Sequence, residues 1–323
     1  MWGNRLGWII SAIIIVIFTA SLLALQHAGM IASPMTAAFS ADPANLQQIT
    51  VPFDPESIVH ADDNCDAADL YRQAIADYEK APDLYRELDK DHLGQLTACT
   101  PIIKAMHCKN LTLFASHPDE VVNFEREKPP ITALMQIGEA LGIRAQYEIT
   151  AGDTTTSTQE AHAVFALGAK LFDERIVYEE FEAGLALMAD ADTVLLKIAE
   201  KQGNPALAAH IGQFEQARKQ FISKGGRMDQ LRTITKNIDG DLSAEHAGDV
   251  FALAEKSHER MWRVEACFQL GRMRFNLGDN GRAADQRHAM MLLRKLADSD
   301  SDPIVKLAAA KARDLTPQDY QRE

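Results

Sequence analysis

Cysteine is scarce, with four residues in 323, too few for a disulfide scaffold to replace a hydrophobic core. Positive charge is also short. Lys and Arg total 33 against 46 Asp and Glu, a formal net charge of −13. A nucleic-acid binder needs clustered cations to displace counterions from phosphates, and this balance excludes that role. Gly-x-Ser-x-Gly, Gly-x-Gly-x-x-Gly, a Walker loop, His-Glu-x-x-His, Cys-x-x-Cys and Cys-x-x-Cys-His are all missing, so no nucleophile–base set, phosphate cradle, redox pair or haem attachment assembles by motif, and no cofactor is expected. No long stretch of the folded part alternates with period two, which argues against a sheet. What is present is ordinary globular composition, 46% apolar and 24% charged, in a length that suits one or two domains at about one per ~150 residues.

Leu6 to Leu25 holds no charged residue over 20 positions, which as a helix covers about 30 Å, the thickness of a bilayer's hydrocarbon core. Leu6, Trp8, Ile13, Phe18 and Leu25 mark this expected anchor, and Trp2 and Trp8 sit where interfacial aromatics are favoured. The apolar cores of cleaved signals are shorter, about 7–15 residues, and the small-residue site Thr36-Ala37-Ala38 lies well past the run, so a retained anchor is the better reading. Arg5 is the only cation before Arg72. Cations stay on the cytoplasmic side, so the N-terminus is expected inside and the rest of the chain outside, in the periplasm if the source is bacterial. Residues 27–64, with Pro34, Pro43, Pro52 and Pro55 and no periodic apolar run, read as an extended linker. Residues 1–71 hold one cation and seven acids, a net −6, which leaves −7 for residues 72–323.

From about residue 65 the pattern is helical. After Pro130 only Pro205, Pro303 and Pro317 occur, following Asn204, Asp302 and Thr316. Proline at a first helical position loses no hydrogen bond, and each preceding residue is a good N-cap, so these prolines should open helices. Gly203 is placed to end the helix before Asn204. Ser157 and Glu160 have capping-box spacing. Val177, Phe181, Gly184, Met188, Ala191, Leu195 and Ile198 are spaced alternately by four and three, one stripe along a helix, with Glu179, Glu180, Glu182, Asp190 and Asp192 off it. Leu70/Ala74/Tyr78, Leu134/Ile137/Leu141 and Val264/Phe268/Gly271/Phe275 form similar stripes. Helical hairpins turning at Gly203, Gly225-Gly226, Asp239-Gly240 and Gly278-Asp279 account for these signals economically.

Two segments resemble known helical repeats. Met291 to Leu315 has an apolar first helix, an Asp-rich turn, and Asp302-Pro303-x-Val305-Lys306 opening an Ala-rich second helix; it resembles one HEAT repeat. Residues 264–290 resemble part of a tetratricopeptide repeat through Leu270-Gly271, Gly278 and Ala283, although Arg274 and Arg287 stand where that pattern wants large apolar residues. Each match covers about one ~40-residue unit and no fixed period runs through the chain. The expected fold is all-α: an irregular array of stacked antiparallel helical hairpins, TPR/HEAT-like, over residues 65–323, behind a transmembrane helix at 1–26 and a linker at 27–64.

Candidate chemistry is sparse. Asp62-Asp63-Asn64-Cys65-Asp66 resembles the aspartate-rich motif of all-helical isoprenoid synthases, where carboxylates one turn apart hold Mg²⁺ against a diphosphate. No second acidic motif accompanies it, and acids at a helix start are favoured by the helix dipole alone. Asp298-Ser-Asp-Ser-Asp302 opens like a Ca²⁺ loop but has Pro303 and Ala309 where Gly and Glu are needed, so it reads as a turn. Glu255 and His258 have di-iron ligand spacing without the second pair such sites require. His92, Cys99, His107, Cys108 and His117 cluster within 26 residues but lack the paired spacing of structural zinc sites. In an exported domain Cys65, Cys99, Cys108 and Cys267 allow three full connectivities. A helix starting near Thr100-Pro101 sets Cys99 and Cys108 about 10 Å apart, too far for a bond to each other; Cys65 bonded to either would secure the end of the tether, and buried free thiols fit the sequence equally well. Asn110-Leu111-Thr112 is a glycosylation sequon, relevant only in a eukaryotic secretory pathway. The expected function is a membrane-tethered, non-catalytic adaptor or scaffold that binds a protein partner. The competing reading is a ligand- or metal-binding helical domain, with or without enzymatic activity, that uses His92, Cys99, His107 and Cys108 or Asp62, Asp63 and Asp66.

Overall fold

Asn204, Asp302 and Thr316 each precede a helix that begins on a proline, at Pro205, Pro303 and Pro317. Asp302 accepts from Ile304 N and Val305 N, Asn204 accepts from Leu207 N, and Thr316 donates from N and Oγ1 to Asp319 Oδ2. The computed structural model describes residues 51–61, 63–86, 88, 90–125, 127–225, 244–275 and 283–321. The expected anchor with Leu6, Trp8, Ile13, Phe18 and Leu25, together with Asp62 and the turns at Gly226, Asp239-Gly240 and Gly278-Asp279, lies outside the described residues. Among the described residues no helix is long and apolar enough to cross a membrane.

The architecture is all-α. Helices α1 (Ala68–Glu79), α2 (Asp83–Arg86), α3 (Cys99–Ala105) and α4 (Leu113–Ser116) lead into three long ones, α5 (Pro129–Ala151), α6 (Thr154–Glu174) and α7 (Tyr178–Lys201). Then come α8 (Pro205–Gly225), α9 (Ala244–Lys256), α10 (Arg260–Phe275), α11 (Ala283–Ser299), α12 (Pro303–Asp314) and the short α13 (Pro317–Gln321). Helix α7 is the centre: it packs on α5, α6, α8 and α10. Every residue of its expected stripe, from Val177 through Ile198, is buried. Helices α9 to α12 form a second group, in which α12 packs on both α10 and α11. One continuous apolar cluster runs through both groups.

Glycine sets the closest approach. A Cβ on Gly184 would lie 2.6 Å from Phe172 N and 2.7 Å from Gly168 O, and one on Gly168 would lie 2.8 Å from Gly184 O. The backbones of α6 and α7 therefore touch where both helices lack side chains. Gly203, at φ +60°, ends α7 as the sequence suggested.

Three local expectations are corrected. The Asp-rich start of the domain is not helical: β1 (Asp63–Asp66) pairs in parallel with β2 (Cys108–Asn110). A four-residue strand gives no readable alternation, and its partner is more than 40 residues away. Ser157 and Glu160 do not cap α6. Asp153 does so, accepting from Thr155 N and Thr156 N, while Ser157 Oγ donates to Ala145 O and Glu160 pairs with Arg144 at 2.7 Å. Residues 51–61, assigned to the extended linker, lie against the helices. Phe53 is buried and Val51, Ile58 and Val59 pack on the core, because this stretch carries apolar residues at a spacing too irregular to read as an element.

Candidate functional site

The turn between α6 and α7 gathers the most unusual chemistry among the described residues. Helix α6 ends on Arg175 at φ 27°, ψ 59°, a left-handed position that glycine usually fills. Its guanidinium holds the turn: Nη1 donates to Phe172 O and Asp173 O, and Nε donates to Glu259 Oε2 at 3.3 Å, which joins this turn to the start of α10. Helix α7 then opens with no capping side chain on Val177. Glu180, in its first turn, instead reaches back and accepts from Ile176 N at 2.6 Å. This is the carboxylate half of a capping box without its hydroxyl half.

Glu180 is 0% exposed. Beside it, Glu174 Oε1 accepts from Phe114 N at 2.9 Å and Ala115 N at 2.8 Å. The remaining oxygens, Glu174 Oε2 and Glu180 Oε1, are buried and find no N–H or hydroxyl donor. Burial first, and the neighbouring Glu174 second, hold Glu180 well above the ordinary glutamate range, and burial raises Glu174 as well. The pair ties α4, α6 and α7 together.

The opposite side of the same turn is aromatic. Phe53 enters from the 51–61 segment and packs against Phe172, Phe214 and Phe221 with centroids 5.5, 5.1 and 5.6 Å away. Phe181 stands 5.2 Å from Phe172, and Phe165 stands 5.2 Å from Phe214. Periodicity identified these helices as amphipathic but could not reveal the box, because its residues come from three helices and a segment read as linker. A second buried charge was also missed. Asp192 is 0% exposed and pairs with Arg218 at 3.0 Å, and burial pushes its carboxyl up to about 7 against the opposing pull of Arg218.

The residues singled out in the sequence are dispersed. Cys65 and Cys108 form a disulfide with Cα atoms 4.7 Å apart. Cys108 is therefore unavailable as the metal ligand entertained above. Cys99 is free and buried, its thiol raised to about 11 by burial, and lies on α3, which starts two residues earlier than the Thr100 cap implied. His107 and His117 are exposed and His92 is half-buried in a short 3₁₀ turn. Among the described residues no three His, Cys, Asp or Glu side chains group as a metal site. Asp66 accepts from Ala68 N, Thr112 N and Thr112 Oγ1, capping α1 and fastening it to the chain after β2. Asp300 and Asp302 of the Ca²⁺-like turn are held by Arg263 and Arg260 from α10. Glu255 bonds Lys295 at 2.5 Å, and His258 is exposed. Arg274, which broke the tetratricopeptide pattern, donates to Arg313 O and Leu315 O at the end of α12, satisfying carbonyls that a helix C-terminus leaves open. No protein-family model, curated protein or solved structure matches the chain.

Proposed function

We propose that the chain is a membrane-tethered, non-catalytic helical adaptor. Its N-terminal apolar segment anchors it, and its domain, built of HEAT- and tetratricopeptide-like hairpins, binds a protein partner on the extracytoplasmic side. One observation carries the adaptor reading: the stretch 51–59, which makes a 3₁₀ turn at Pro55–Ser57, lies against the helices, anchored by its side chains. Helices that hold one non-helical segment by its side chains have the kind of surface that holds others. Stacked helices expose long surfaces of this kind, an argument made at the level of fold. The Cys65–Cys108 disulfide supports the location, since such bonds persist in oxidising compartments. The 20 uncharged residues after Arg5 support the anchor.

The test is site-specific photo-cross-linking from Tyr147 and Met291, both exposed, in the full chain embedded in its own membrane. A discrete adduct with a different protein is expected. Adducts only with further copies of this chain would instead indicate a self-associating structural component. The metal-binding alternative is decided by elemental analysis of the purified full chain. Stoichiometric metal that is lost in His92→Ala and His107→Ala would displace the adaptor reading.

A further inference from the structure

Acids outnumber cations in this chain, and nearly every arginine finds a partner. Twelve arginines stand among the described residues. Eight pair with a carboxylate, Arg274 donates to carbonyls at the end of α12, and the Arg272 guanidinium lies 5.6 Å from the centroid of the Phe124 ring. The other two, Arg287 and Arg294, bond to nothing among the described residues, and both are exposed on α11. Asp298, one turn beyond Arg294, is exposed as well, and the two do not pair.

Between the two arginines stands Met291, 67% exposed, the most exposed large apolar side chain among the described residues. Positions 287, 291, 294 and 298 are spaced four, three and four, so they form one line along the helix. The buried residues of α11, Ala289, Leu292, Leu293 and Leu296, fall on the opposite side. That side serves the core, and the outward line is left without a partner. On its flank Lys295 bonds Glu255 and His288 stacks on Phe251, so the neighbouring polar groups are already engaged with α9.

The line reads cation, apolar, cation, anion. Arg and Met are over-represented at protein interfaces. An unpaired guanidinium takes a carboxylate, commonly through two parallel hydrogen bonds. The anion at 298 is repelled by a continuous negative surface such as a layer of acidic lipid headgroups, whereas a helix carrying discrete charges of both signs can match all four positions.

We propose that this outward line of α11 docks an acidic helix of the protein partner, with two carboxylates spaced to meet Arg287 and Arg294 and a large apolar side chain between them. This rests on the adaptor reading and gives its partner a chemistry. Run antiparallel, such a helix meets the line as Lys-x-x-x-Glu-x-x-Leu-x-x-x-Glu. The carboxylates face Arg294 and Arg287, two turns or about 10 Å apart, the Leu covers Met291, and the Lys faces Asp298.

The experiment uses the full chain in detergent, wild type and the double variant Arg287→Glu/Arg294→Glu, with two labelled Ala-rich helical peptides of about 20 residues. One carries the pattern above; the other has its three charges reversed. Wild type is expected to bind the first saturably and at least about fivefold more tightly than the second, and the double variant to invert that order. Both arginines are exposed, so an unchanged thermal midpoint is expected of the variant; if it does not fold, the two peptides on wild type decide. In the membrane, a photo-cross-linker at position 291 should form its protein adduct on a segment with Asp or Glu within four residues of the attachment, and the charge reversal should abolish that adduct. Equal binding of the two peptides to wild type, the same preference in both chains, or adducts from 291 only with lipid or with a second copy would overturn the proposal. A partner adduct from Tyr147 with none from 291 would keep the adaptor and remove this surface. The expected peptide preferences without a protein adduct from either position would keep the surface and remove the adaptor, so the two readings fail separately.

Discussion

Glu180 and Asp192 lie off the apolar stripe of α7, and nothing in their spacing singles them out from the other acids of that helix. Both are fully buried because α7 is covered by four helices, α5, α6, α8 and α10, in line with the apolar Leu185, Leu187, Val194 and Leu196 that widen its stripe. Burial and the neighbouring Glu174 raise the Glu180 carboxyl, which gives a prediction with a definite sign. The folded chain keeps a proton that the unfolded chain releases above about 4.5. The contribution of this pair is complete below that value and is lost as pH rises through the raised folded value. Asp192 acts in the same direction, between 3.8 and about 7. Urea midpoints of wild type should therefore fall from pH 5 to pH 8, and Glu180→Gln, which still accepts from Ile176 N and does not titrate, should fall less steeply. Parallel curves would mean that the Glu180 carboxyl is not raised in the folded chain. Thiol chemistry gives a second prediction at this scale. Cys99 and Cys267 are buried, their thiols raised to about 11 and about 12, and Cys65 and Cys108 are bonded. Iodoacetamide should add no mass to the folded chain without reductant, and label Cys65 and Cys108 once reductant is present. Label on the folded, unreduced protein would contradict both assignments.

At the scale of elements, the starts of α8, α12 and α13 were legible because a capping residue followed by proline is a local signal. The β1–β2 pair was not, because it depends on two short segments far apart in the chain. The crossing of α6 and α7 lies between these cases: Gly184 was read as part of a stripe, and only the structure reveals that it touches backbone. Gly184→Ala must push against Phe172 N and Gly168 O, which cannot swing away, and should cost about 1–3 kcal/mol. Gly142→Ala, in the interior of α5 with no atom within 4 Å of the new methyl, should gain about 0.5–1 kcal/mol from reduced unfolded-state entropy. Thermal melts of the two variants should move in opposite directions, and a shared direction would mean that the crossing is looser than described. The disulfide spans a separation of 43 residues and fastens β1, at the end of the tether, to β2. Cys108→Ser should cost about 3–4 kcal/mol by loop closure. A denaturation midpoint insensitive to reductant would show that β1 and β2 hold without it.

At the scale of the whole molecule, the sequence divides its charge and hydropathy in a way that a free globular protein does not need: an uncharged run, then an acidic stretch without cations, then a helical domain of mild charge. Composition and period made the all-α class legible. The seat of Phe53 stayed hidden because its partners are separated by over 100 residues of chain. The central claim is that the helical domain stands on the far side of a membrane from the N-terminus. Sealed, right-side-out vesicles carrying the full chain, treated with protease and probed at both ends, test it directly. The account predicts that the C-terminal epitope disappears while a fragment containing the first 25 residues survives. A C-terminal domain left intact until the vesicles are opened with detergent would contradict it.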